Sequence, residues 1–188
     1  DVYKRQGTQE VTVQILGDSF VNGAFFRDAL LSKNYIPGIK LVGLRNIKNE
    51  EGQYDEGRGG WTVKKYFEIP KGEMTSYHGY MQPVGEYRYW GSCEFWKNCY
   101  KVINGELTDT EIVYNCGRYD QCITKFDKET GYLAAPKKND LMYDNARGSY
   151  MVYTGKKWKN VEVDERKWAF NYRKYLDMWN LDAPKFFA

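Results

Sequence analysis

The feature that most constrains this chain is the run from Glu10 to Leu44. In it an alternating β-branched stretch, Glu10-Val11-Thr12-Val13-Gln14-Ile15-Leu16, breaks abruptly at Gly17-Asp18-Ser19. The period of two predicts a strand, and its apolar close at Ile15-Leu16 predicts entry into a sheet. Asn22 reads as the N-cap of a helix whose apolar face uses Phe25, Phe26, Ala29 and Leu30, with Asn34 near its end and Pro37-Gly38 at its exit. Ile39-Lys40-Leu41-Val42-Gly43-Leu44 predicts a second strand. Strand, helix and strand in this order make a βαβ unit, which closes right-handed and places ligand sites at the carboxyl ends of its strands. Ser19 stands at such an end.

Beyond this unit the chain changes character twice. Asn46 to Gly60 is a polar, Gly-rich loop, and Thr62 to Phe67 predicts a short helix after the Gly59-Gly60-Trp61-Thr62 turn. From 70 to 160, short β-like runs such as Tyr100-Lys101-Val102-Ile103 and Thr110-Glu111-Ile112-Val113-Tyr114, separated by Gly, Asn and Asp, predict hairpins and hence a β-rich insertion. After Asp164 a helical period carries Trp168, Tyr172, Tyr175, Leu176 and Trp179 on one face, and Pro184 ends it. Lys185-Phe186-Phe187-Ala188 reads as the opening of a buried strand. The expected division is a leader or remnant at 1–9, a first βαβ part at 10–69, an insertion at 70–160, and a helix with the start of the next sheet strand at 161–188.

Composition limits the function classes. The 28 Lys and Arg against 25 Asp and Glu are scattered singly or in pairs, which does not make a nucleic-acid stripe. No apolar run approaches the roughly 20 residues that span a bilayer, and no secretory h-region opens the chain, so no membrane partner is expected. Aromatics reach 17%, densest between residues 66 and 100. Two readings stand open: a surface that stacks on sugars or peptides, or amphipathic rings covering a thin core.

Cys93, Cys99, Cys116 and Cys122 all lie in the insertion without C-x2-C spacing, and His78 is the sole histidine, so no metal site is expected. A hairpin turning near Leu107-Thr108 would set Cys93 opposite Cys122 and Cys99 opposite Cys116. Nested disulfides of this kind would each contribute roughly 3 kcal/mol by constraining the unfolded chain. They predict a secreted or periplasmic protein. Four reduced thiols packed as small hydrophobes are the alternative.

Ser19 follows a strand and precedes a helix, with Gly17 free to take strained turn dihedrals, which is the setting a nucleophile needs. The strand into Gly17-Asp18-Ser19, then Asn22-Gly23, and downstream Glu56-Gly57-Arg58-Gly59-Gly60-Trp61-Thr62 together resemble the first two blocks of the SGNH/GDSL hydrolase family. The match runs loosely over Val11 to Phe67. The resemblance implies an α/β fold, the N-terminal part of a flavodoxin-like three-layer α/β/α sandwich with a parallel sheet, here carrying a β-rich insertion. It implies Ser19 as nucleophile and, through its N–H, as one oxyanion donor. It also implies Gly60 as a second donor, with Gly59 as the alternative, Asp18 and Trp61 at the substrate, and no cofactor.

The departures are specific. The family's third block is a Gly-x-Asn-Asp after a buried strand, whereas Asn139-Asp140 follows Lys137-Lys138 in a polar stretch. Its last block is Asp-x-x-His near the C-terminus, whereas His78 has Thr75 at the matching place and lies far upstream. The expectation is a truncated chain whose catalytic Asn, Asp and His lie beyond Ala188, inactive alone and prone to self-association through an exposed sheet edge. The expected function is serine ester hydrolysis of a small-molecule or glycan ester, the carbohydrate ester resting on the aromatic stretch and the paired cysteines. The alternative is a non-catalytic glycan- or protein-binding module on a degenerate fold of the same type. A phosphate-binding βαβ domain fits less well, because the turn after the first strand carries Asp18 and no glycine fingerprint follows.

Overall fold

The computed structural model describes residues 11–23, 25–32, 38–45, 54–72, 77–103, 123–183 and 186–187. The leader at 1–9, the run Thr110 to Tyr114, Cys116 and Cys122 lie outside the described residues. The fold is mixed α/β with small parallel and antiparallel sheets. The chain divides into two compact units: Asp1–Trp61 with Asn180–Ala188, and Thr62–Trp179.

Unit 1 is built on β1 (Val11–Gln14), flanked in parallel by β3 (Ile39–Leu41) and by β11 (Phe186–Phe187). The strand expected at Phe186-Phe187 therefore forms, and it pairs with β1 through Val13 and Gln14. Val13, Ile15 and Leu41 are buried, and Val21, Leu30 and Leu31 pack against them, so the helical segments cover this face. Thr12 and Gln14, on the other face of β1, are buried too. Burial on both faces is the mark of a central strand in a parallel sheet. The chain leaves β1 through β2 (Leu16–Gly17), turns into α1 (Ser19–Asn22), continues in α2 (Phe25–Ser32), and returns after β3 to β4 (Glu56–Gly57).

Unit 2 pairs β5 (Met81–Pro83) antiparallel with β10 (Trp168–Phe170), and holds a four-stranded sheet in the order β6 (Arg88–Ser92), β7 (Asp140–Asp144), β8 (Ser149–Tyr153), β9 (Trp158–Val161). The β6 and β7 strands are parallel, so the chain between them has to cross over, and that crossover contains α3 (Cys93–Ile103). This corrects the hairpin expected there: Tyr100 to Ile103 end a helix. Ser92 Oγ accepts the Phe95 N–H at 3.1 Å and Asn145 Oδ1 accepts the Glu94 N–H at 3.1 Å, capping orphan donors of its first turn. Phe95, Trp96 and Cys99 then fall on its buried side.

The C-terminal helix is also shorter than expected. Trp168 belongs to β10, held by the register Trp168 to Pro83, and α4 runs only over Tyr172–Trp179. Its buried residues Tyr175, Leu176, Met178 and Trp179 pack inside unit 2, so the structure parts the chain at 61/62 and 179/180 where the sequence suggested 69/70 and 160/161. Tyr77, Tyr80, Tyr89, Trp90, Phe95 and Trp96 are buried, with Trp96 stacked on Phe126 at 3.9 Å and edge-on to Tyr77 at 5.5 Å. The aromatic stretch is the core of unit 2, which decides between the two readings left open by composition.

Candidate active site

The two sequence blocks meet through strand pairing. β2 and β4 run parallel, Leu16 opposite Glu56 and Gly17 opposite Gly57. Neighbouring strands lie about 4.8 Å apart, and parallel strands end at the same edge. The turn carrying Asp18-Ser19 and the turn Arg58-Gly59-Gly60-Trp61 therefore leave the sheet side by side. Glu56 N–H donates to Ile15 O at 2.9 Å and Arg58 N–H to Gly17 O at 2.9 Å, while Trp61 N–H closes the second turn on Arg58 O at 3.2 Å.

Ser19 is the first residue of α1, and Asp18 is its N-cap, with Oδ1 accepting the Phe20 N–H at 3.0 Å. A separate short helix thus precedes the one expected: Asn22, read from sequence as an N-cap, is the last residue of α1, and the helix that carries Phe25, Ala29 and Leu30 is α2. Asp18, expected at the substrate, is thus engaged in shaping the turn. Ser19 is exposed, and its hydroxyl has no hydrogen-bond partner among the described residues. Gly60 is exposed with φ of +69°, a conformation that a side chain disfavours. Trp61 is buried, with the Arg58 guanidinium carbon 5.2 Å from its ring centroid. Its ring packs the second turn.

Beneath these turns lies a charged network that sequence reasoning did not anticipate. Arg27, Arg45, Asp55, Glu56 and Arg58 are all buried. Glu56 Oε1 accepts the Leu44 N–H at 2.7 Å, and Glu56 Oε2 pairs with Arg58 Nη1 at 2.8 Å. Arg45 donates from Nη2 to Asn22 Oδ1 at 2.9 Å and pairs its backbone with Asp55 in both directions. Asp55 Oδ1 accepts the Gly57 N–H at 2.9 Å, and its Oδ2 lies 3.9 Å from Arg27 Nη1. Burial pushes the Asp55 carboxyl up to about 6, with neighbouring Glu56 adding to the rise, and the Gly57 N–H, Arg45 and Arg27 pulling against it. Removing one partner of such a network leaves an uncompensated buried charge, at a cost of about 3–5 kcal/mol. The signal available in the sequence was Glu56-Gly57-Arg58 itself, two opposite charges across one glycine.

His78 lies in unit 2. Its Nδ1 accepts the Tyr80 N–H at 3.1 Å and its Nε2 lies 3.1 Å from Glu68 O, which sets the neutral tautomer with the proton on Nε2. The ring is buried beside Tyr80, centroids 5.6 Å apart. Both nitrogens are committed, so His78 has no lone pair with which to take a serine proton. Asn139 is likewise engaged within unit 2: its Nδ2 donates to Glu86 Oε2 at 2.8 Å at the entry to β7.

Cys93 is a buried thiol at the start of α3, its Sγ donating to Asn145 Oδ1 at 3.7 Å, and burial pushes this thiol above its usual range. The strand that was to set Cys93 and Cys99 opposite Cys122 and Cys116 is therefore a helix. No disulfide occurs among the described residues, and Cys116 and Cys122 lie outside them. Among the described residues no group of acidic, Cys and His side chains is arranged to hold a metal ion, and no helix is long and apolar enough to cross a membrane.

Comparison of the chain with protein-family models, with curated proteins and with solved structures returns no match.

Proposed function

We propose that unit 1 carries the nucleophile and part of the oxyanion hole of a serine ester hydrolase of the SGNH/GDSL type. The observation that carries this reading is the parallel pairing of Leu16-Gly17 with Glu56-Gly57, which delivers both turns to one sheet edge. In the proposed reaction Ser19 Oγ attacks the ester carbonyl carbon, its proton passes to a base, and the carbonyl oxygen becomes an oxyanion. The N–H groups of Ser19 and Gly60, or of Gly59 in its place, face that charge; one such donor is worth about 3 kcal/mol. The tetrahedral intermediate expels the alkoxide and leaves an acyl-serine. The order β3-β1-β11, all parallel, supports a flavodoxin-like sheet as the parent fold.

The base is not a histidine of these 188 residues, since the only one is His78. This observation is what favours the second reading, a binding module in which Ser19 is vestigial. The carbohydrate ester expected as substrate loses one of its supports, because the rings between residues 77 and 96 are core and not a stacking surface.

Acylation separates the two readings. After incubation with p-nitrophenyl acetate, peptide mass spectrometry should find the acetyl group on Ser19, where it accumulates because deacylation also needs the base. Acetylation confined to lysines and identical in Ser19→Ala would leave the binding-module reading standing.

A further inference from the structure

Helix α1 is a single turn, closed by backbone bonds from the Asn22 N–H to Asp18 O at 2.9 Å and from the Gly23 N–H to Ser19 O at 2.8 Å. One turn does not hold its own shape in water, because fixing its dihedrals costs more than so few bonds return. Building on the reading of Ser19 as nucleophile, we infer that Asn22 and Arg45 are positioning residues: their hydrogen bond fixes the orientation of α1, and with it the place of the Ser19 hydroxyl beside the Gly60 turn.

Ser19 and Asn22 stand three residues apart, so they share one side of the helix, about 4.5 Å apart along its axis. Their surroundings are opposite, Ser19 exposed and Asn22 buried. Asn22 is therefore the buried foot of the face that presents Ser19. Its Oδ1 accepts from Arg45 Nη2 at 2.9 Å, both residues lying out of solvent.

Arg45 is itself fixed from a second direction. Its N–H donates to Asp55 O at 3.0 Å and its carbonyl accepts the Asp55 N–H at 2.8 Å. Asp55 immediately precedes β4, the strand that leads into the Arg58-Gly59-Gly60 turn. One residue thus grips the foot of α1 and the root of the second turn together. The entry of α1 is tied to the sheet through Gly17, paired with Gly57, and the packing of Gly57 on Asn22 limits how closely α1 and β4 approach. Neither contact sets the rotation of α1 about its own axis. A hydrogen bond from a planar guanidinium to the side chain of its last residue does, because such a bond is directional and charge-assisted. A shift of about 1 Å at a reacting atom costs on the order of 10²-fold in rate.

The test follows a fluorophosphonate probe on the 188-residue chain, with Ser19 labelling measured against probe concentration so that KI and the limiting rate kinact separate. Circular dichroism gives the folded fraction, and rates are taken per folded molecule. Asn22→Ala should lower kinact about 10–100-fold with KI unchanged. Asn22→Asp keeps an acceptor at the same place and should restore kinact to within about threefold of the natural chain. Arg45→Met, a second variant that takes away the donor together with its buried charge, should match Asn22→Ala. A bond that served stability alone would cost folded fraction and leave kinact where it was. An unchanged kinact in Asn22→Ala or Arg45→Met, or Asn22→Asp as slow as Asn22→Ala, would overturn the proposal while leaving Ser19 as nucleophile. No adduct on Ser19 in the natural chain would overturn the nucleophile reading and this inference with it.

Discussion

Gly57 sits directly beneath Asn22: a β-carbon built on this glycine would lie 2.7 Å from Asn22 Cα and 2.5 Å from the Val21 carbonyl carbon. Both neighbours are backbone, so neither can rotate away. The second block can approach the Ser19 turn only because this position has no side chain. Gly57→Ala should therefore destabilise unit 1 by about 1–3 kcal/mol, the range for forced overpacking. Chemical denaturation followed by a unit 1 reporter checks this, and an unchanged midpoint would mean that β4 does not approach α1 as described.

Asp55 predicts a pH dependence with a definite sign. Its folded carboxyl lies near 6 against an ordinary value of 3.8, so folding favours the protonated form. The associated stability is fully present below about pH 4 and is lost as pH rises through about 6, amounting to on the order of 3 kcal/mol. Asp55→Asn removes the titration. Across this window the unfolding free energy of the natural chain should fall relative to that of Asp55→Asn. Parallel curves would show that the carboxyl titrates alike in both states.

The Cys93 thiol should resist alkylation in the folded protein. Burial keeps it protonated at neutral pH, and only the thiolate reacts. Iodoacetamide at pH 7.5 should leave Cys93 unmodified in the native state and label it after denaturation without reductant. Failure to label the denatured, unreduced chain would instead support the Cys93 to Cys122 bridge expected from sequence.

His78 is predicted to support structure and not chemistry. His78→Asn breaks its bonds to Glu68 O and the Tyr80 N–H and should lower the stability of unit 2 by about 1–3 kcal/mol, the cost of leaving buried polar groups unmade. Acylation of Ser19, measured on the folded fraction, should be unchanged. A matching loss of acylation would return His78 to the role of base.

What the sequence made legible and what it hid have separate physical reasons. β1, the turn into α1 at Asp18, β3 and the pairing strand at Phe186–Phe187 are written in local periodicity and turn chemistry, which short windows capture, whereas Gly17, read as the break, belongs to the short strand β2. Helix α3 was misread because Tyr100, Val102 and Ile103 favour strands, and the decisive signals, Ser92 as cap and Phe95, Trp96 and Cys99 at helical spacing, sit earlier. Trp168 fits the helical period of α4 but is claimed by β5, a partner more than eighty residues away. The network of Arg27, Arg45 and Asp55 was invisible for the same reason. Charged residues read as solvent-exposed until the partners that bury them are brought together by the fold.

The central claim is that Ser19 is a nucleophile beside a block-two oxyanion turn, and reaction with a fluorophosphonate probe tests it most directly. Peptide mapping should place the adduct on Ser19, formed about 10²–10⁴ times more slowly than in a serine hydrolase with its base in place, and absent in Ser19→Ala. An adduct on another residue, or none at Ser19 after prolonged incubation, would contradict it.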